Sequence, residues 1–166
     1  MKARRLGFLV ALVVFVADQL TKWYVTGPLQ LRDVGQVYLL PIFQFTYTEN
    51  NGISLGLLNA TTEIGRWMLV GLTSAIAVGV AVWIGREKNR VDQIALGMVL
   101  GGALGNIFDR TRHGYVVDFL DLHFGEFRPF LIFNIGDAAI SIAVVILLLR
   151  AFLTRKDASK ETIEHA

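Results

Sequence analysis

The chain has 166 residues, of which 54% are hydrophobic and 18% are charged, with a net charge of +2 and no cysteine. This composition excludes an ordinary soluble domain and predicts a single-domain membrane protein. Because no basic cluster is interleaved with aromatic residues, nucleic acid is excluded as a partner. The lack of cysteine excludes thiol nucleophiles, zinc-thiolate sites and disulfides, so any chemistry must come from oxygen or nitrogen groups.

Four segments are long and apolar enough to cross a hydrocarbon core of about 30 Å. The predicted spans are 6–25, 64–84, 92–109 and 132–153. Basic residues cluster before the first span, between the second and third, and after the fourth, as expected of cytoplasmic segments. We therefore expect an all-α membrane domain over 1–153, a four-transmembrane-helix bundle with both termini cytoplasmic. A polar cytoplasmic tail without fixed structure is expected over 154–166.

The first outer loop, 27–63, contains a predicted β element. The run Val37 to Thr48 ends in alternating aromatic and polar residues, which is typical of a strand with one apolar face. Asn50-Asn51-Gly52 indicates a turn, after which 53–55 can pair back, and Val116 to Phe124 in the other outer loop is also strand-like. We expect a small extracytoplasmic sheet whose aromatic side chains rest in the interfacial layer, namely Phe43, Phe45 and Tyr47.

Polar residues of three spans converge at one depth. At 1.5 Å per helical residue, Asp18 lies about 18 Å beyond Leu6, and Asn106 and Asp109 lie about 21 and 26 Å beyond Asp92. Asn134 and Asp137 fall near the outer end of the fourth span. Asp18 with Lys22, and Asn106 with Arg110, also have the i, i+4 spacing that places both members on one helix face. These residues are candidates for function by default, although ion pairs and helix-end anchors that only orient the bundle would have the same spacing.

Asp118 and Asp137 differ from the other acids because neither has a basic residue three or four positions away. Two such carboxyl groups brought together would have their apparent pKa values split, which leaves one acid and one base, as in an aspartic protease. The alternative is that Asp118 is a solvated loop residue and Asp137 a first-turn acid favoured by the helix dipole. Spacing alone leaves both interpretations open.

Five blocks of the chain, in order along the same four-span layout, resemble one family, the lipoprotein signal peptidases (type II signal peptidases). These enzymes are bacterial inner-membrane aspartic endopeptidases. The similarity covers nearly the whole chain apart from the tail. The blocks are Asp18-Gln19-Leu20-Thr21-Lys22, Asn51-Gly52-Ile53-Ser54, Gly101 to Arg110, Val116-Val117-Asp118-Phe119 and Phe133-Asn134-Ile135-Gly136-Asp137.

The resemblance implies that Asp118 and Asp137 form the catalytic dyad and that neither a metal nor an organic cofactor is needed. The implied substrate is a prolipoprotein, cut immediately before a diacylglyceryl-modified cysteine by a multi-pass enzyme of the bacterial inner membrane. We expect a monomer, because one chain carries both aspartates. Its active site would face the periplasm, and membrane lipids would be its other partners. The residues implied to support the site or bind substrate are Asp18, Lys22, Asn51, Gly52, Asn106, Asp109, Arg110 and Asn134.

Two positions depart from the family pattern. Gly136 stands where an alanine usually precedes the second aspartate, and the missing methyl is expected to loosen local packing. Leu55 stands where an aromatic residue is common, which affects the expected substrate contacts.

Two other functional classes compete with a peptidase. A small transport protein would use Asp18, Asp109 and Asp137 as a proton or cation relay, but the inner halves of the first and fourth spans are almost wholly apolar. A non-enzymatic scaffold subunit would use the small-residue stripe Gly97, Gly101 and Gly105 for helix packing, which leaves Asp118 and Asp137 unexplained. The test that distinguishes both alternatives from a peptidase is whether the two aspartates are needed for proteolysis.

Overall fold

The computed structural model describes the backbone of residues 4–52 and 62–164 and the side chains of 5–52 and 62–153. Its five helices and three strands within those ranges are, in chain order, α1 (Arg4–Thr26), α2 (Leu31–Val34), β1 (Gln36–Leu40), β2 (Phe43–Asn50), α3 (Glu63–Arg86), α4 (Arg90–Arg112), β3 (Val116–Leu122) and α5 (Ile135–Glu164). The helices α1, α3, α4 and α5 are long and apolar enough to cross a membrane. The four predicted spans are therefore confirmed as helices.

The last helix differs from the sequence prediction at both ends. It begins at Ile135 instead of residue 132, because Phe133 pairs with Leu120 of β3 through backbone hydrogen bonds of 2.8 and 3.1 Å. It continues to Glu164, so the prediction that the polar tail lacks fixed structure is wrong. The lysine, glutamate and alanine residues of that segment favour helix.

Helix α4 lies at the centre of the bundle and contacts α1, α3 and α5. Glycines allow this close approach, since a Cβ atom at Gly97 or Gly101 would collide with the backbone of α1. On another face of α4, Gly102 lies against Gly136 of α5. A Cβ atom added at Gly136 would be 3.0 Å from the carbonyl oxygen of Gly102. The prediction that Gly136 loosens packing is therefore wrong, because the two backbones close the space that a methyl group would fill.

Replacement of Gly101 by alanine is expected to destabilise the bundle by about 1–3 kcal/mol. Its Cβ would lie 2.5 Å from the backbone oxygen of Ala11 and 2.8 Å from the Cβ of Val14, so the helices must separate. Gly79→Ala in α3 is the matched control, since a Cβ there meets none of the described atoms within 4 Å, and its higher helix propensity makes it neutral or stabilising. Thermal unfolding in detergent compares the two variants, and equal midpoints would contradict the close packing.

The outer β element is a three-stranded antiparallel sheet in the order β1-β2-β3. The predicted run Val37 to Thr48 is two strands joined by a turn at Pro41 and Ile42, because proline cannot donate a ladder hydrogen bond. The strand-like run after Val116 is confirmed as β3. The predicted return pairing of 53–55, and the departure at Leu55, lie outside the described residues.

The alternating aromatic residues of β2 are partly buried beneath the sheet. Phe43, Phe45 and Tyr47 pack on a cluster that includes Val25 and Phe119, with Phe45 and Phe119 edge to face at 5.5 Å between ring centroids. Their place in the interfacial layer stays a prediction, and the structure adds that they are partly buried against this cluster. The exposed apolar side chains of the sheet belong instead to the β1–β2 hairpin and are Tyr38, Leu39, Leu40 and Ile42.

Candidate active site

The two unpaired aspartates of the sequence meet at the junction of β3 and α5. Asp118 is 1% exposed in β3, and Asp137 lies in the first turn of α5. Asn134, which directly precedes α5, links them: its Nδ2 donates to Asp118 Oδ1 at 2.6 Å, and its backbone N–H donates to Asp137 Oδ2 at 3.2 Å. One asparagine thus holds both carboxyl groups.

Asn134 and Asp137 also cap the helix that carries them. Asn134 Oδ1 accepts from the Asp137 backbone N–H at 2.9 Å, while the Asp137 carboxylate accepts from the Asn134 backbone N–H. This reciprocal pattern is a capping box. The first-turn interpretation of Asp137 is therefore correct as a description of its place in the helix, and the same contacts fix its carboxyl group beside Asp118.

Two further amides fix the remaining carboxylate oxygens of the pair. Asn106 Nδ2 of α4 donates to Asp137 Oδ1 at 2.8 Å, and Asn50 Nδ2 of β2 donates to Asp118 Oδ2 at 2.9 Å. Asn106 Oδ1 in turn accepts from Asn134 Nδ2 at 3.1 Å. Four elements of the fold thus converge on the two acids, and each carboxylate accepts hydrogen bonds at both of its oxygens.

A buried charged network supports the pair from the side of α1. Lys22 Nζ lies 2.7 Å from Asp18 Oδ2 and 2.9 Å from Asp109 Oδ2. Asp18 Oδ1 accepts from the Gly136 backbone N–H in the first turn of α5, and Asp109 Oδ2 accepts from the Val117 backbone N–H in β3. Each acid therefore fixes the backbone next to one of the candidate catalytic aspartates.

Arg110 faces both members of the pair without closing an ion pair. Its charge interacts with Asp137 and Asp118 through space, and its buried Nε has no hydrogen-bond partner among the described residues. Asn106, which the i, i+4 spacing places on the same helix face as Arg110, is bonded to Asp137. Arg110 thus presents a cation with an unused donor beside the two carboxyl groups.

The electrostatics of Asp118 suit acid and base chemistry. Desolvation by burial, together with the nearby negative charge of Asp137, raises its pKa from 3.8 to about 6. The hydrogen bonds from Asn50 and Asn134 act in the opposite direction, because they stabilise the carboxylate. The raised pKa means that this acid holds a proton well above the pH at which an exposed aspartate loses it.

The turn after β2 places Asn50, and not Asn51, against the pair. Gly52 has a φ of +103°, which favours glycine, and its N–H donates to Asn50 Oδ1 at 2.9 Å. That bond orients the Asn50 amide so that its Nδ2 points at Asp118. Asn51, the residue predicted from the sequence, is exposed.

Gln19 is a second residue that the sequence analysis missed. Its Nε2 donates to Asp18 Oδ2 at 3.1 Å and to Asp109 Oδ1 at 3.0 Å, so it joins α1 to α4 beside Lys22. A polar amide one position from Asp18 in an apolar span is the feature that could have identified it. Gln19 and Asn50 thus join the network of predicted site residues. Of the predicted residues, only Asn51 has no role in this network: Gly52 orients Asn50, and the others contact one another directly or through their charges.

Known proteins resemble this chain over most of its length. The family model for signal peptidase (SPase) II matches residues 10–153. The chain is 52% identical over 153 residues to the lipoprotein signal peptidase of Rhizorhabdus wittichii, covering 92% of this chain and 89% of that relative. It is 39% identical over 156 residues to the lipoprotein signal peptidase of Beijerinckia indica, covering 94% and 93%.

A solved structure shares the fold. A bacterial membrane enzyme determined by the in meso method at 2.3 Å resolution superposes with a TM-score of 0.76 at 28% identity, covering 93% of this chain and 90% of that one. The family model and the two relatives each extend over most of the chain, and the family model includes both candidate aspartates. The chain therefore belongs to the signal peptidase II family.

Proposed function

We propose that this chain is an aspartic endopeptidase that removes signal peptides from diacylglyceryl-modified prolipoproteins, with Asp118 and Asp137 as the catalytic dyad. The observation that carries the proposal is the placement of two carboxyl groups on one bridging amide, Asn134. Two acids held together in this way suit water activation, because one can be charged while the other keeps its proton. Membership of the signal peptidase II family makes the chain a protease.

The proposed reaction uses the two carboxyl groups in turn. The ionised member takes a proton from a water molecule as that water attacks the scissile carbonyl carbon, while the protonated member donates to the carbonyl oxygen. Collapse of the tetrahedral intermediate then returns a proton to the leaving amine and breaks the C–N bond. Because the dyad titrates as a unit, the resting proton belongs to the pair. The Arg110 Nε–H, which has no partner among the described residues, is placed to donate a hydrogen bond to a substrate carbonyl oxygen.

An apolar cavity beside Asp137 supports a lipid-modified peptide as substrate. It has a volume of about 300 Å³ and lies between α5 and the segment that precedes it, lined mainly by Leu122, Phe130, Leu131, Phe133, Ala138 and Ile142. Leu131 is 91% exposed, which is unfavourable in water and favourable against lipid. An acyl chain or a hydrophobic signal peptide resting there would bring its polar end to the dyad.

The proposed setting is the bacterial inner membrane, with the dyad toward the periplasm and the chain acting as a monomer. The positive-inside rule supports this orientation, since Lys and Arg are concentrated at the ends of the bundle opposite the sheet. A monomer is the simplest arrangement because one chain supplies both aspartates, Asn134 and Arg110.

The proposed function is tested by incubating the purified, detergent-solubilised protein with a diacylglyceryl-modified prolipoprotein and following loss of the signal peptide by gel shift. The matched substrate control is the same prolipoprotein before lipid modification. We expect cleavage of the modified form and little or none of the unmodified form. If neither form is cut by folded protein, the assignment of this substrate class is wrong.

The pKa of Asp118 predicts the pH dependence of cleavage. The dyad needs one proton, and burial together with Asp137 raises the pKa of Asp118 to about 6, so the active protonation state is lost as the pH rises through that value. We expect kcat/KM to fall by about tenfold per pH unit above about pH 6. A profile of kcat/KM that stays flat up to about pH 8 would contradict a single shared proton with this pKa.

Asn50 and Asn51 provide a comparison of neighbours. Loss of the hydrogen bond from Asn50 to Asp118 in Asn50→Ala is expected to lower kcat/KM about tenfold. It should also move the alkaline fall in activity to higher pH, because that bond lowers the pKa of Asp118. Asn51→Ala is the control and should keep the parental pH profile, since the exposed Asn51 side chain is not the one bonded to Asp118. A shift in Asn51→Ala without one in Asn50→Ala would reverse the assignment.

A further inference from the structure

A cavity of about 600 Å³ lies between the outer ends of α1 and α4 and the underside of the sheet. Neither Asp118 nor Asp137 lines it, so the cavity does not open onto the two candidate catalytic aspartates. Its volume is in the range that holds small-molecule ligands. Lys22 and Asp109 form part of its wall, but their charges are already used in the buried network.

The cavity changes from apolar to cationic along its length. Phe15 of α1 and Phe108 of α4 form one end, edge to face at 6.0 Å between ring centroids. Arg112 and His113, at the end of α4, form part of the other end. Along α1 the lining runs from Phe15 to Thr26, which is about 16 Å of helix. One end therefore lies in the hydrocarbon layer and the other at the membrane surface.

The positive charges of the two arginines at the outer end, Arg32 and Arg112, are only partly neutralised. Arg32 forms an ion pair with Glu49, with 3.0 Å between Nη2 and Oε1. By contrast, neither Arg112 nor His113 has a carboxylate within 4.0 Å among residues 5–52 and 62–153. The Arg112 side chain is exposed and lies over the Phe108 ring at 5.9 Å. An anion at this end would thus meet an unpaired guanidinium directly above the apolar end.

Aromatic side chains with polar tips mark the boundary between the two ends. Trp23 is 64% exposed, and the hydroxyls of Tyr47 and Tyr115 lie 3.3 Å apart in the wall. Tryptophan and tyrosine are enriched at the headgroup level of membranes. Their position indicates that this cavity opens where phospholipid headgroups lie.

We propose that this cavity is a binding site for an anionic phospholipid of the outer leaflet. The phosphodiester lies against Arg112, an acyl chain follows the groove toward Phe15 and Phe108, and the aromatic tips contact the glycerol region. An apolar floor below an unpaired cation matches a glycerophospholipid with a net negative charge. A zwitterionic lipid matches less well, because its own ammonium group is repelled by Arg112.

Quenching of Trp23 by brominated lipids tests the site. Trp67→Phe with Trp83→Phe leaves Trp23 as the sole tryptophan of the three in the chain. This background is reconstituted in phosphatidylcholine vesicles that contain a matched fraction of brominated phosphatidylglycerol or brominated phosphatidylcholine. We expect phosphatidylglycerol to bind about fivefold more tightly near Trp23, the factor that one cation contributes at an anionic lipid surface.

Three variants in the same background locate the preference. Arg112→Gln should bring the ratio of the two lipids to about one, and Arg112→Lys should restore it, because the charge is kept. Arg86→Gln removes an exposed arginine at the end of α3 and should leave the ratio unchanged. A ratio of one in the parent would mean that the cavity takes neutral lipid or a peptide, and a ratio that survives Arg112→Gln would place the anion elsewhere; either result overturns the proposal.

Discussion

Replacement of Asp118 or Asp137 by asparagine is expected to reduce cleavage of a diacylglyceryl-modified prolipoprotein by about 10³-fold or more. Each change removes one of the two proton-transfer groups of the proposed dyad, and general acid or base catalysis accounts for about 10²–10⁴ in rate for a single group. Because the two carboxyl groups share one proton and one water, the double variant should be no slower than either single variant. Rates are measured by gel shift under single-turnover conditions.

The controls for this experiment come from the hydrogen bonds around Asp118. Both of its oxygens accept from side-chain amides, Asn134 at 2.6 Å and Asn50 at 2.9 Å. In Asp118→Asn, the new NH₂ group would face one of these NH₂ donors, and that hydrogen bond would be lost. We expect Asp118→Asn to lose about 1–3 kcal/mol of stability and to remain folded, which thermal unfolding in detergent checks. Asp33→Asn, at an exposed acid of α2, should keep the parental rate. Parental activity in either dyad variant would refute the proposed mechanism.

Hydropathy predicted the helices well because span length and composition are local properties. The start of α5 was placed three residues too early, since Ile132 and Phe133 are as apolar as the helix that follows. A tertiary contact prevents the helix from starting earlier, because the backbone of Phe133 pairs with Leu120 of β3. Pairing between segments that are distant in sequence leaves no trace in a hydropathy profile.

The depth of the polar layer was also predictable, because helical rise converts residue number into height. The partners within the layer were not. Spacing along α4 placed Asn106 and Arg110 on one face, but it gave no sign that Asn106 bonds to Asp137 and Asn134. Spacing rules describe isolated helices, while in a bundle the facing helix decides which groups pair.

The family resemblance led to Asp118 and Asp137, but it did not separate Asn50 from Asn51. The two residues are chemically identical and adjacent, and only the turn geometry at Gly52 determines which amide points inward. The alternation along β2 is ambiguous for a related reason. Alternation identifies two faces of a strand, but it does not tell which face meets the core and which meets the membrane.

The buried cation Lys22 holds together the part of the site that lies on α1 and α4. Lys22 is 4% exposed, and the two acids that it joins, Asp18 and Asp109, are 0% and 2% exposed. Those acids also accept from the backbone N–H groups of Gly136 and Val117 at 2.9 and 3.1 Å. Lys22 therefore balances two buried negative charges on which the positions of Asp137 and Asp118 depend.

Replacement of Lys22 by methionine is expected to destabilise the protein by about 3–5 kcal/mol, because breaking a buried ion pair leaves charge uncompensated in a medium of low dielectric constant. Methionine keeps most of the apolar stem, so the loss reports the charge more than the packing. Thermal unfolding in detergent measures the change, and Lys88→Met, at an exposed lysine between α3 and α4, is the matched control.

A second substitution separates charge from shape at Lys22. Adding Asp109→Asn to Lys22→Met removes one of the two uncompensated carboxylates while keeping an oxygen that can accept from Val117, so the double variant should recover part of the lost stability. Cleavage should fall in both variants, since Lys22 also lies 3.3 Å from the oxygen of Asn106, which holds Asp137. If Lys22→Met unfolds at the same temperature as Lys88→Met, the three charges are not coupled, and the dyad is positioned by its asparagines alone.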